Sequence, residues 1–293
     1  MSNTLLVPDL VRDGPIEFEL FVSDDGRIAH PDDPGTGVYV SGNDINQGPL
    51  GDCYLLASLG GLARDNPQAL QENIKDNGDG TYTVTFYKKT FAPPDVIPFG
   101  GKPLLPRTQY VPQQVTVSLE EIPGDTVPQY ASVADAGFKG TDVAYEIWPA
   151  VYETAYAKWK GGFDQIGRGA LAAPTMEELT GRPSQTASVG STSPDDLQAR
   201  LARGEIIVLE TNDEAGDGLL GWMRTAIGRH ADDVLYQNGT LIPDHAYTVV
   251  GVTANDEVVL VNPHNGRERI NVPYLALERA CSWGRFAFNP GMR

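Results

Sequence analysis

The chain has 293 residues, with 39 acidic and 22 basic side chains, a formal net charge of −17 and a hydrophobic fraction of 41%. That length suits one large domain or two small ones, and the acidic surface repels nucleic acid and anionic membranes, which excludes phosphate-backbone binding as the main task. Two cysteines, Cys53 and Cys281, are too few for a disulfide framework. The first residues, MSNTLLVPDLVRDG, lack a basic region followed by an apolar run, so no secretory leader is expected. No apolar run approaches membrane-spanning length, and the expectation is a soluble, cytoplasmic protein whose thiols stay reduced.

Residues 1–43 are rich in Pro, Gly and Asp and read as turns with a strand fragment from Phe18 to Val22. His30 sits in a turn-like context and reads as a surface residue. The stretch from Asp44 to Leu59, DINQGPLGDCYLLASL, is the segment around which the rest of the chain is organised. Gly48, Pro49 and Gly51 impose a tight, non-helical loop, after which Leu55, Leu56, Ala57, Leu59 and Leu62 mark a buried helix that stops at Asn66-Pro67. Asp52 is the natural N-cap, which puts Cys53 at the first helical position. There the helix dipole and unpaired backbone N–H groups favour thiolate over thiol, and thiolate is the nucleophile. The Gln47 amide reaches back over the same spot and would form one arm of an oxyanion hole, with the Cys53 backbone N–H as the other. Cys281, in an apolar run, reads as buried and inert.

Alternation of Tyr82, Val84 and Phe86 with threonines predicts a half-buried strand entered through a Gly-Asp-Gly turn. This turn is no EF-hand loop, because Lys75 and Phe86 would fall at the first and last ligand positions. Residues 91–130 read as irregular strands and loops. Pro149 fits a first helical turn, so a helix starts near Trp148 and presents Val151, Tyr152, Ala155, Tyr156 and Trp159 on one face. From about Arg182 the character becomes mainly β. Ser193 caps a helix with Pro194 at its first position, and Ile206 to Leu209 form a buried strand. Residues 212–243 read as a long loop with a helical turn near Leu219 to Ile227, and His230 within it reads as surface. Strands at 246–252 and 257–261, a short helix near 273–280 and a strand around 283–288 complete the chain.

A cysteine nucleophile needs an imidazole to take its proton, and the imidazole needs an orienting group. His245 opens the strand HAYTVVGV, and Asn262 ends the strand Val258 to Val261. A short turn at Asn255-Asp256 would set the two side by side. The Asn262 oxygen would then accept one ring proton and leave the other ring nitrogen facing the thiol.

Several of these segments resemble the calpain family of cysteine proteases. The family pattern Q-G-x-L-G-D-C-W/Y-L-L-A is similar to Gln47 through Ala57. The pattern E-x-W-x-A-x-x-E-x-A-Y-A-K is similar to Glu146 through Lys158, and the family's G-H-A-Y and N-P-W-G motifs resemble the segments at His245 and Asn262. The resemblance implies an α+β, papain-like cysteine protease fold: an extension over residues 1–36, a first subdomain with Cys53 over 37–182, and a β-rich second subdomain with His245 and Asn262 over 183–293. It implies peptide-bond hydrolysis of a polypeptide substrate by Cys53, His245 and Asn262, through a Cys53 thiolate–His245 imidazolium pair and an acyl-enzyme, with Gln47 at the oxyanion hole. It also implies one calcium ion at Asp44 and Glu146. No second-site acidic cluster follows Asn262, and the sequence leaves the oligomeric state open. The chain departs from the family at His264, which stands where the family has tryptophan, at Asn265, inserted before Gly266, and at Asp244, which replaces the glycine before the histidine. The family tryptophan covers the His–Asn contact, and a smaller polar ring is expected to cover it less. Asp244 is expected to raise the imidazole pKa or to narrow the cleft where a substrate backbone would lie. Two other readings remain open: an inactive calpain-like binding module, and a papain-fold acyltransferase or amidase that uses the same residues.

Overall fold

The computed structural model describes residues 17–21, 39–92, 107–124, 131, 136–139, 142–211, 240–281 and 284–292. His30, His230 and the helical turn expected near Leu219 to Ile227 lie outside the described residues. The chain is a mixture of helix and sheet.

Strand β1 (Glu17–Glu19) is followed, after residues 39–52, by helix α1 (Cys53–Asp65). The apolar run buries all of Tyr54 to Ala63, as its length and pattern require. The helix ends where expected, but Asn66-Pro67 does more than stop it. Asn66 accepts a hydrogen bond from Ala69 N–H at 3.1 Å and caps a second helix, α2 (Pro67–Glu72), with Pro67 in its first turn.

Strands β2 (Ile74–Asp76), β3 (Thr81–Ala92) and β4 (Arg107–Ser118) form an antiparallel sheet, with β3 and β4 in register from Thr81↔Ser118 to Ala92↔Arg107. Tyr82, Val84 and Phe86 are buried, as their alternation predicts. The long β4 replaces part of the irregular region expected over residues 91–130. Strands β5 (Ala136–Lys139) and β6 (Asp142–Glu146) join β1 in a second small sheet. Helix α3 (Trp148–Lys160) starts with Trp148 and carries Pro149 in its first turn, where a missing N–H costs nothing. Phe86 stacks on Trp159 at 5.2 Å between ring centroids and meets Tyr152 and Tyr156 edge-on. Short helix α4 (Phe163–Ile166) and helix α5 (Ala172–Thr180) come after it.

Strand β7 (Gln185–Ser188), helix α6 (Pro194–Ala202) and strands β8 (Ile206–Glu210), β9 (Ala246–Val252), β10 (Glu257–Val261) and β11 (Ile270–Pro273) come next, then helix α7 (Tyr274–Ala280) and strand β12 (Arg285–Asn289). Ser193 caps α6 through a 3.1 Å bond from Asp196 N–H, as predicted. The six strands make one antiparallel sheet in the order β11-β10-β9-β8-β12-β7.

Each face of that sheet belongs to a different core. Ile206, Val208, Ala246 and Ala287 pack with α1, α3 and α5, while Ile207, Leu209, Tyr247, Val249 and Phe286 pack with Leu197 of α6 and Leu277 of α7. Helix α1 therefore lies directly on the sheet. A Cβ added at Gly61 would come within 2.4 Å of Ile206 Cγ2, so only glycine permits this approach. Thr248 Oγ1 donates to Ala57 O at 2.7 Å and pins helix to strand. Among the described residues no helix is long and apolar enough to cross a membrane.

Candidate active site

The loop before α1 is built so that its polar groups face inward. Asp44, fully buried, accepts from Trp148 Nε1 at 2.9 Å and from Ser41 N–H at 2.6 Å, which ties the loop to the start of α3. Two backbone bonds then fasten it to the turn after β10: Gln47 N–H donates to Pro263 O at 2.7 Å, and Gly266 N–H donates to Ile45 O at 2.8 Å. The loop of Gln47 and the loop of Asn262 are thus tied together.

Cys53 is the first residue of α1, with Asp52 as N-cap residue. The Asp52 side chain makes no capping bond, a departure from the expected arrangement. The backbone N–H groups of Ala246 and Tyr54 favour the Cys53 thiolate. Those donors and the helix terminus do not win, however. Burial, aided by the charges of Asp52 and Asp244, pushes the Cys53 thiol up to about 11. Cys281 is fully buried in the second core, as expected, and both cysteines are thiols.

His245 lies just before β9 and is held by its backbone: its N–H donates to Thr211 Oγ1 and its carbonyl accepts from Thr211 N–H, both at 2.9 Å. The ring Nε2 is 2.9 Å from Asn262 Oδ1. The same oxygen accepts from His264 N–H at 3.1 Å. A backbone N–H can only donate, so this atom is an acceptor and Nε2 carries the ring proton. The lone pair is therefore on Nδ1. Burial lowers His245 to about 4, more than Asn262 and Asp244 can raise it, and His264 adds to the lowering. The expected rise from Asp244 is present but outweighed. Both shifts favour the neutral thiol and the neutral imidazole over the thiolate–imidazolium pair that the resemblance implies.

Asp244 has φ 51°, in the left-handed region that favours glycine, which gives a backbone reason for the glycine of the family motif at this place. His264, though exposed, keeps a ring against His245. Its ring covers His245 in a parallel stack, 5.2 Å between centroids and 3° between planes. Its Nδ1 donates to Gln47 O at 3.2 Å.

Gln47, Cys53, Asp244, His245 and His264 line one cleft of about 680 Å³. The Gln47 Nε2 donates to Leu50 O at 2.7 Å and makes a long 3.4 Å contact to Asp52 Oδ1. A neighbouring cavity of about 460 Å³ shares Tyr54, Ala170 and Leu171 with the cleft and is lined further by Tyr156, Lys160 and Glu178. The cleft wall also holds Glu210, which sequence reasoning missed. Its Oε1 accepts from Ala172 N–H at 2.9 Å at the start of α5, and its Oε2 lies 3.5 Å from Arg285 Nε. Burial raises its carboxyl, with Ala172 and Arg285 opposing. Its one sequence signal is its place at the end of the apolar run Ile206 to Leu209.

For calcium, the donor types of Asp44 and Glu146, both buried, suit a hard cation. One Asp44 oxygen is already engaged by two N–H donors. Among the described residues no group of three or more His, Cys, Asp or Glu side chains is arranged to hold a metal ion.

A helix-borne cysteine sharing a cleft with an imidazole on an asparagine oxygen is the arrangement of the cysteine-protease class. The profile described as calpain family cysteine protease matches residues 122–283, more than half of the chain, and so the chain belongs to the calpain family. The matched stretch holds His245 and Asn262; Cys53 and Gln47 precede it. Calpain-9 of Mus musculus is 26% identical over 214 residues, covering 71% of this chain and 25% of that protein. Calpain-13 of Rattus norvegicus is 27% identical over 215 residues (71% and 26%), and calpain-9 of Homo sapiens is 27% identical over 249 residues (82% and 29%). The chain thus spans between a quarter and a third of the length of these relatives.

Proposed function

We propose that the chain is a papain-like cysteine endopeptidase core that cleaves polypeptides by way of an acyl-enzyme. The observation that carries this reading is the Nε2–H of His245 on Asn262 Oδ1, which leaves Nδ1 as a base in the cleft that holds Cys53. The resting pair is neutral, so His245 acts as a general base: Nδ1 takes the thiol proton as the sulfur attacks the peptide carbonyl. The oxyanion is met by the Cys53 N–H and by Gln47 Nε2, whose contact to Asp52 is long enough to be exchanged for the substrate oxygen. His245 then protonates the leaving amine, and water activated by the same ring releases the acid. Residues 37–182 form the Cys53 side of the cleft and residues 183–293 the His245 side. Calcium at Asp44 and Glu146 remains part of the proposal, and no step is routed through it.

An inactive binding module is favoured by one observation: the Gln47 amide nitrogen is turned to Leu50 O and Asp52 in this form. Labelling with an epoxide inhibitor of papain-like proteases, read by mass spectrometry with calcium and with a chelator, separates the readings. Modification of Cys53 in both conditions indicates a preassembled site, and modification only with calcium makes Asp44 and Glu146 a switch. No modification in either favours the inactive module. A peptide library then distinguishes protease from transferase or amidase, since only peptide hydrolysis yields new free N-termini that are lost in Cys53→Ala.

A further inference from the structure

Two carboxyl groups sit behind the nucleophile and take no part in the proton transfers assigned to Cys53 and His245. Asp52 is fully buried, and Glu153, on the second turn of α3, is 2% exposed. Asp52 Oδ2 and Glu153 Oε1 are both buried without a hydrogen-bond partner. The two carboxyls also act on each other's protonation. Two buried carboxylates would repel each other and leave both oxygens without a donor, whereas a proton held on one of them satisfies both. The other two oxygens are engaged elsewhere. Glu153 Oε2 accepts from Ala131 N–H at 3.1 Å, and Asp52 Oδ1 receives the 3.4 Å contact from Gln47 Nε2.

We propose that Asp52 and Glu153 share a single proton and act together as the positioning pair for the Gln47 amide beside Cys53. This deepens the protease reading and rests on it for the role of Gln47. In the resting form Asp52 must remain an acceptor to keep the amide nitrogen, and not its oxygen, on the inner side until the substrate oxygen takes over that contact. Glu153 supplies the proton that lets Asp52 stay buried. Without that proton two negative charges would lie beside the sulfur and suppress thiolate formation.

The charge environment agrees. Burial raises both carboxyls; the Asp52 charge raises Glu153 further, while the bond from Glu153 partly restores Asp52. Glu153 is therefore the proton carrier. The other titratable groups that feel Asp52 are the Cys53 thiol and the Tyr54 phenol on α1, and Tyr54 in turn faces Glu178 on α5.

The test is nuclear magnetic resonance on the full chain with ¹³C-labelled carboxyl groups and ¹⁵N-labelled side-chain amides, alongside peptidase assays. At pH 7 the Glu153 carboxyl carbon should show the protonated signal. As pH rises and that signal changes, the Gln47 amide signals should move over the same interval, and Glu153→Gln should abolish the movement. Glu153→Gln, which can still donate to Asp52, should lower kcat less than Glu153→Ala does, and Asp52→Asn should lower kcat about tenfold with KM unchanged. Ionised signals from both carboxyls at pH 7 would overturn the proposal. So would a Gln47 amide that ignores the titration, or a loss in Glu153→Gln as large as in Gln47→Ala. A parent chain without peptidase turnover would overturn the protease reading alone, because the titration needs no turnover and still decides whether the pair holds Gln47.

Discussion

His264 lies flat against His245, 5.2 Å between ring centroids, and at the same time bonds to the carbonyl of Gln47. One exposed ring therefore both covers the proposed base and holds the loop of the proposed oxyanion donor. His264→Ala should uncover His245 and release Gln47 O, lowering kcat/KM about fivefold to tenfold, or ~1–1.4 kcal/mol. His264→Phe should restore the cover but not the bond and fall between the two. Steady-state kinetics on one peptide substrate would check the order.

Asn262 Oδ1 accepts from two donors, the His245 ring and His264 N–H. Asn262→Ala should free the ring and cut kcat by about ten- to a hundredfold, with a smaller change in KM. Asn262→Asp should behave differently. A carboxylate there favours imidazolium, so the His245 pKa should rise from about 4 and the acid limb of the kcat/KM profile should move to higher pH.

The neutral resting pair has a measurable consequence. With the Cys53 thiol near 11, its alkylation by iodoacetamide should accelerate steadily from pH 7 into the alkaline range. A rate that is already level between pH 5 and 8 would indicate a resting ion pair instead.

His245 also couples pH to stability. Its folded value, about 4, lies below the ordinary 6.5. Between those values the unfolded chain binds a proton that the folded chain refuses, so this contribution is fully present above pH 6.5 and is lost as pH falls toward 4. The melting temperature should therefore drop over that window, and the drop should be shallower in His245→Gln. Scanning calorimetry of both proteins from pH 4 to 7 would show it.

Gly61 sits where α1 touches β8 most closely. Gly61→Val would force branched carbon into Ile206 and should destabilise the fold by about 1–3 kcal/mol in urea unfolding. Glu210→Ala, which strips the acceptor from the first N–H of α5, should cost about 1 kcal/mol by the same measurement.

The local features of this fold were legible where one residue type dictates one backbone. Pro149 and Pro194 marked first helical turns, Ser193 marked a cap, and the apolar run after Cys53 marked a buried helix. Helix α2 was hidden because Asn66-Pro67 serves both to end one helix and to cap the next. The extent of β4 was hidden because most of its side chains are exposed on both faces, so no apolar period betrays it. In the site, spacing around the turn at Asp256, which has φ 57°, brought His245 and Asn262 together as expected. The state of the thiol was not legible. A helix N-terminus can be read from sequence, but the burial that outweighs it is made by residues far along the chain. The meeting of Asp52 with Glu153 is hidden for the same reason.

Gly61 and Thr248 fix the helix of Cys53 onto β8 and onto β9, the strand that begins beside His245. A chimaera made by joining this chain to a relative at residue 182 would divide that contact between two parents. Productive recombinants would have to inherit α1, β8 and β9 as one block, so this part of the gene is expected to accept exchange as a set and to resist it piecemeal.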